Sequence, residues 1–138
     1  MMLYLLDTNA LSRLAREVDP SITQKIRGNL LNCRVSAVSW FELHYGVARS
    51  AHPEKAVSRL RLLRTIFPVS EPFEEHAARR AADVRVALET LRPNAQPIGP
   101  FDVLLAGHAL ALGAVMVTHN VGEFSRVPGL AIEDWQTN

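Results

Sequence analysis

Short apolar runs alternate along the chain with longer stretches in which apolar residues recur every three or four positions, so strands and helices are predicted in turn. Leu3 to Leu6 has no polar alternation, the pattern of a strand covered on both faces, and is expected at the centre of a sheet. Asn9 to Glu17 follows as a short helix with Leu11 and Leu14 on one face, broken at Asp19-Pro20. Ser21 to Leu31 is a second helix that aligns Ile22, Ile26 and Leu30, and Val35 to Val38 a second strand. Ser39 and Glu42 have the spacing of a capping box opening the third helix. Pro53 opens a fourth, with Val57, Leu60 and Leu63 inward and Arg61 and Arg64 on the other side. Phe67 to Val69 reads as a short edge strand, demoted by Pro68. The clearest helical period runs from Glu71 to Leu91 through Phe73, Ala77, Ala81, Val84, Leu88 and Leu91. A breaker-rich loop over Arg92 to Pro100 precedes a helix from Phe101 to Leu112, closed by Gly113. Val115 to Val117 and Leu130 to Ile132 complete the strands, and no internal repeat is visible.

This alternation predicts an α/β fold, a three-layer sandwich around a mostly parallel sheet, with residues 1–138 as one domain. With the first strand central, strand order reverses beside it, and ligands in such sheets bind at that reversal, outside the carboxyl ends. Asp7 ends the first strand, Glu42 falls one turn into the third helix, and Asp102 lies in the first turn of the helix leading to Val115. All three positions lie along one edge, so carboxylates distant in sequence can converge. Oxygen-only clusters of this kind suit a hard divalent cation, Mg²⁺ or Mn²⁺. Each residue also has a plainer reading. Asp7 can cap the first helix, with Thr8 and Asn9 as competing caps, and Glu42 can be a capping-box partner. Asp102 stands in a helix apolar nearly all round, where a carboxylate is costly unless it meets a cation. His108 is expected as a packed or surface histidine. His44, His52, His76 and His119 share no zinc-ligand spacing with Cys33.

Composition adds little to this picture. The chain has 138 residues, 48% of them hydrophobic, which allows a core without cross-links. The net charge of +1 does not announce a nucleic-acid binder, but only Lys25 and Lys55 among the basic residues are lysines. Arginine suits planar bidentate contact with phosphate, although a codon bias toward arginine explains the preference equally well. A single cysteine forms no intrachain disulfide, and the N-terminal apolar stretch lacks a basic n-region, so a cytoplasmic protein is expected. Val103 to Val117 falls short of the roughly 20 residues that span a bilayer, and no membrane association is expected.

Leu-Leu-Asp7-Thr8-Asn9, Ser39-Trp-Phe-Glu42-Leu43 with Gly46, Ile-Gly-Pro100-Phe101-Asp102, Val117-Thr118-His119-Asn120 with Glu123-Phe124, and the tail ending at Trp135 together resemble the PIN-domain ribonucleases, within them the VapC-type toxins. The resemblance implies a PIN-like α/β/α sandwich and a metal-dependent endoribonuclease, the toxin of a toxin-antitoxin pair. Asp7, Glu42 and Asp102 would hold one or two Mg²⁺ or Mn²⁺ ions, and Thr8 and Ser39 would support them through their hydroxyls. Asn120 stands where many PIN domains carry a fourth aspartate, which leaves the second metal site open. A cognate antitoxin protein, an RNA substrate of the tRNA kind and a homodimer are also implied. The helix Glu71 to Leu91 and the Arg61/Arg64 face are candidates for partner or RNA contact.

Two other classes compete. A receiver-like phosphoacceptor domain normally has adjacent acids after its first strand and a lysine after its last; here Leu6 precedes Asp7 and no lysine follows Lys55. A non-catalytic PIN-fold binding module would use the same cleft only for a partner's tail, with Asn120 marking a lapsed site.

Overall fold

The computed structural model describes residues 1–91, 94 and 97–136; of the loop expected over 92–100, Arg92, Pro93, Ala95 and Gln96 lie outside the described residues. The elements run β1 (Tyr4–Leu6), α1 (Thr8–Arg16), α2 (Pro20–Gly28), β2 (Cys33–Arg34), α3 (Ala37–Ala48), α4 (Pro53–Ile66), α5 (Glu75–Glu89), α6 (Pro100–Leu112), β3 (Val115–Val117), α7 (Val121–Phe124) and β4 (Ile132–Glu133). One parallel sheet results, in the order β2-β1-β3-β4. Tyr4 lies opposite both Cys33 and Val115, and Leu6 opposite Val117, so β1 is an inner strand from which the chain leaves in both directions. The reversal falls where it was expected, at the carboxyl end of β1.

The pleat sends successive residues to opposite faces. Leu5 and Met116 pack with Ala81, Val84 and Leu88 of α5 and Leu105, Ala106 and Ala109 of α6. Leu6 and Val117 pack with Leu11 and Leu14 of α1, Ile22 and Ile26 of α2, and Trp40 and Leu63 of α3 and α4. Helices therefore cover both faces, and the three-layer α/β/α sandwich is realised. On the first face α5 and α6 touch at backbone distance, since a Cβ placed on Gly107 would lie 2.3 Å from the amide nitrogen of Ala81. No described helix is long and apolar enough to cross a membrane.

Several boundaries differ from expectation, each for a local reason. The second strand ends at Arg34, not Val38, because Ser36 caps α3: its Oγ accepts the Val38 amide at 3.0 Å. The capping box at Ser39 and Glu42 is therefore not formed; Ser39 lies inside the helix and Glu42 in its second turn. Phe67 to Val69 forms no strand. Glu71 instead makes a lone parallel bridge to Ser36, exchanging backbone hydrogen bonds with Val35 and Ala37. The long helix starts at Glu75 and ends at Glu89, leaving Phe73 and Leu91 outside it as flanking hydrophobics that still pack on the core. α2 stops at Gly28, and Leu30 sits exposed in a following 3-10 turn. The last strand is shifted to Ile132–Glu133, and α7 was not foreseen.

Candidate active site

Asp7 follows β1 directly, its amide donating to the Val117 carbonyl at 3.0 Å. Its carboxylate caps α1, Oδ1 accepting the Ala10 amide at 2.8 Å, so the plainer reading of Asp7 is true as far as it goes. The same carboxylate also looks onto the carboxyl edge of the sheet. Burial pushes its pKa up, hydrogen bonds from Thr118 and Ala10 pull it back, and the charges of Glu42 and Asp134 push it up again.

Glu42 is brought to that edge by α3. Thr8 Oγ1 lies 2.7 Å from Glu42 Oε1 and 3.2 Å from Ser39 Oγ. An ionised carboxylate can only accept, so the single Thr8 proton goes to Glu42 and Ser39 donates to Thr8. Both hydroxyls expected to support the carboxylates do so at Glu42, Thr8 directly and Ser39 through Thr8.

Asp102 is the third residue of α6, a helix started by Gly99 with no side-chain cap. Its Oδ2 would lie 3.4 Å from a Cβ on Gly99, so the carboxylate is turned back over the start of its own helix. Its pKa is pushed up to about 6, first by burial and then by the charges of Glu123, Glu42 and Asp7. The structure thus brings Asp7, Glu42 and Asp102 within mutual electrostatic reach, as the sequence placed them.

Asn120 is drawn differently. It is exposed, and its amide Nδ2 donates to Glu123 Oε2 at 2.8 Å. Its side chain thereby orients a fourth acidic residue, Glu123, which was passed over among the site candidates although it lay within the recognised motif. The signal in the sequence was its spacing, three residues after Asn120 within the Val117 to Phe124 motif. Thr118 was also missed: it is buried, binds Asp7, and accepts the Asn120 amide at 3.0 Å. His119 and Asp134, from the ends of β3 and β4, pair at 2.9 Å beside this cluster. His108 is buried away from the edge, as expected of a packed histidine.

No salt bridge among the described residues involves Asp7, Glu42, Asp102 or Glu123. Like charges gathered without a cationic side chain raise one another's pKa and leave an electrostatic deficit that a cation would fill. Among the described residues no three His, Cys, Asp or Glu side chains are close enough to enclose an ion by themselves. The donor set fits an ion that keeps waters and takes only one or two carboxylates with the rest from substrate, the usual habit of Mg²⁺. Phe41 and Phe101, chain neighbours of Glu42 and Asp102, meet at 5.3 Å between ring centroids and remain partly exposed beside the site.

Comparison with known proteins bears on this edge. The PIN domain family matches residues 4–130. The chain is 32% identical to the tRNA(fMet)-specific endonuclease VapC of Salmonella typhimurium, over 98% of this chain and 99% of the relative. It is 34% identical to ribonuclease VapC1 of Haemophilus influenzae strain R2866, over 97% and 98%. Among solved structures, DNA-bound VapBC from Salmonella typhimurium superposes with a TM-score of 0.87 at 31% identity, covering 98% of this chain and 99% of that one. VapBC2 from Rickettsia felis, bound to a promoter DNA fragment, gives 0.86 at 28% identity, covering 98% and 100%.

Proposed function

Because the chain belongs to the PIN-domain family, within it to the VapC ribonucleases, we propose that the carboxylate edge is the active site of an endoribonuclease that hydrolyses RNA phosphodiester bonds with Mg²⁺ or Mn²⁺. The observation that carries this is the gathering of Asp7, Glu42, Asp102 and Glu123 with no cationic side chain paired to them among the described residues, together with burial that pushes the Asp102 pKa up to about 6. Asp7 and Asp102 would hold the ion, with Glu42 and Glu123 completing the acidic rim. When bound, the ion would activate water and offset charge building on the phosphate. The chain's own residues do the positioning. Thr8 fixes the Glu42 carboxylate, Thr118 and the Ala10 amide fix Asp7, and Asn120 fixes Glu123. Such outer hydrogen bonds set ligand orientation and basicity.

We infer further that the chain is a toxin that cuts tRNA and is silenced by a cognate antitoxin, which the tRNA-specific endonuclease and the toxin-antitoxin complexes among its relatives support; a homodimer and a cytoplasmic location rest on the family resemblance alone. The decisive experiment is RNA cleavage by the purified protein in Mg²⁺ or Mn²⁺, repeated in EDTA and with Asp7→Asn and Asp102→Asn. Cleavage should require the ion and both aspartates. Activity that survives thorough chelation refutes the metal, and a wild type inert toward bulk bacterial tRNA refutes the enzyme in favour of a binding module.

A further inference from the structure

We propose that the cleft between α1, α3 and α4 is a nucleotide subsite that holds the RNA strand beside the bond to be cut; this rests on the nuclease reading above. The cleft has a volume of about 230 Å³ and shares Thr8 and Glu42 with the carboxylate edge, so a strand crossing the site runs directly into it. Arg16, from the last turn of α1, and Arg59, from α4, both line it. Both are exposed. Neither guanidinium has a hydrogen-bond or ion-pair partner among the described residues, whereas Arg13 pairs with Asp19, Arg34 with Glu71, and Arg64 stacks on Trp40 at 4.5 Å. The Arg64 expected to meet RNA is thus occupied, while Arg16 and Arg59 stand unengaged in the cleft; Arg27, Arg61, Arg79 and Arg126, also without a guanidinium partner among the described residues, lie outside it.

Gly46 supplies an independent sign. It sits inside α3, where glycine is the poorest helix former but proline, yet its backbone is ordinary right-handed helix and a Cβ there would meet nothing within 4 Å. Among the described residues nothing would collide with a side chain at this position. Gly46 lines the cleft, so the space it leaves serves something that enters from outside. The chemistry of the walls says what: two free guanidiniums suit a phosphate, and the Leu43 and Leu60 side chains suit the face of a ribose or base. The volume lies below the ~300 Å³ at which drug-sized pockets begin, a size that suits one unstacked nucleotide.

Arg16→Gln, Arg59→Gln and Gly46→Leu test this, with Arg27→Gln, an exposed arginine of α2 outside the cleft, as control. Binding of bulk bacterial tRNA is measured by fluorescence anisotropy in the Asp7→Asn background, and cleavage is measured in the otherwise wild-type protein. Each cleft arginine variant should weaken binding about tenfold and raise KM with kcat within about twofold. Each should also flatten the salt dependence by about 0.7 in the log-log slope, as loss of one phosphate contact to a single strand does. Gly46→Leu should melt at a higher temperature than wild type yet bind and cleave poorly, an outcome that loss of folding cannot produce. The proposal is overturned if the cleft variants match Arg27→Gln, if kcat falls while KM holds, or if Gly46→Leu cleaves normally. It is equally overturned if the variants keep RNA affinity and cleavage but escape the cognate antitoxin, since the cleft is then a protein groove. A wild type that cleaves no RNA in either metal removes the nuclease reading itself, separately from the behaviour of the variants, and this assignment with it.

Discussion

Replacing Asp102 by asparagine should stabilise the metal-free protein while abolishing its activity. The carboxyl is held at about 6 against an ordinary 3.8, so the folded state binds its proton more tightly than the unfolded state does. Between those values the native protein carries the extra proton, and stability falls as pH rises through the window. Below about pH 4 the aspartate costs the fold nothing, and above about pH 6 the full penalty is present. A rise of this size corresponds to about 3 kcal/mol, and partial exposure of Asp102 to solvent reduces it to roughly half. Asparagine keeps the shape and loses the charge, so above pH 7 the variant should gain about 1.5 kcal/mol, which is about 5 °C in Tm for a chain of this length. Thermal melts in EDTA from pH 4 to 8 measure the gap, which should close toward pH 4. Mg²⁺ should narrow it from the other side by stabilising only the wild type. A variant that melts below wild type at pH 8, or a gap independent of pH, would refute the claim that Asp102 sits in an uncompensated acidic site.

Three further outcomes follow from particular contacts. Thr8→Val removes the hydroxyl that holds Glu42 and should reduce cleavage by about 10- to 100-fold with the urea midpoint nearly unchanged; full activity in single-turnover assays would make that hydrogen bond irrelevant. Gly107→Ala puts a methyl group on the Ala81 backbone and should cost at least about 2 kcal/mol in urea denaturation, since α5 and α6 must separate to admit it; a neutral result would mean that the two helices are not in backbone contact. Ser36→Ala removes both the cap of α3 and the partner of buried His108, so a loss of about 1–3 kcal/mol is expected, and a value near zero would show that water replaces the hydroxyl.

Period and breakers made the framework legible. The uninterrupted Leu3 to Leu6 run announced an inner strand, and the three carboxylates fell on one edge because every parallel connection returns the chain to the same side of the sheet. What stayed hidden were choices between equivalent local signals. Ser36 and Ser39 are both good caps in sequence, and the selection of Ser36 depends on Glu71 and His108, which reach it from distant segments. His108 illustrates the same point. Burial lowers its pKa, so the ring is neutral, and its bond to the Pro72 backbone must go to a carbonyl because proline has no amide hydrogen. Nδ1 is then left to accept the Ser36 hydroxyl proton. Glu123 escaped notice because α7 is only one turn long and carries no helical period to flag it.

Asp7 joins strand, helix and chemistry in one residue: its amide continues the β1–β3 ladder, and its carboxylate starts α1. Swinging that side chain out of position would strip the cap from the first turn of α1, while the backbone that carries it stays pinned to β3. A carboxylate edge built from such parts has no resting posture to retreat to, because the residue that would have to leave it also holds up the fold. In the toxin reading proposed above, restraint has to come from a molecule outside the chain and not from a movement within it.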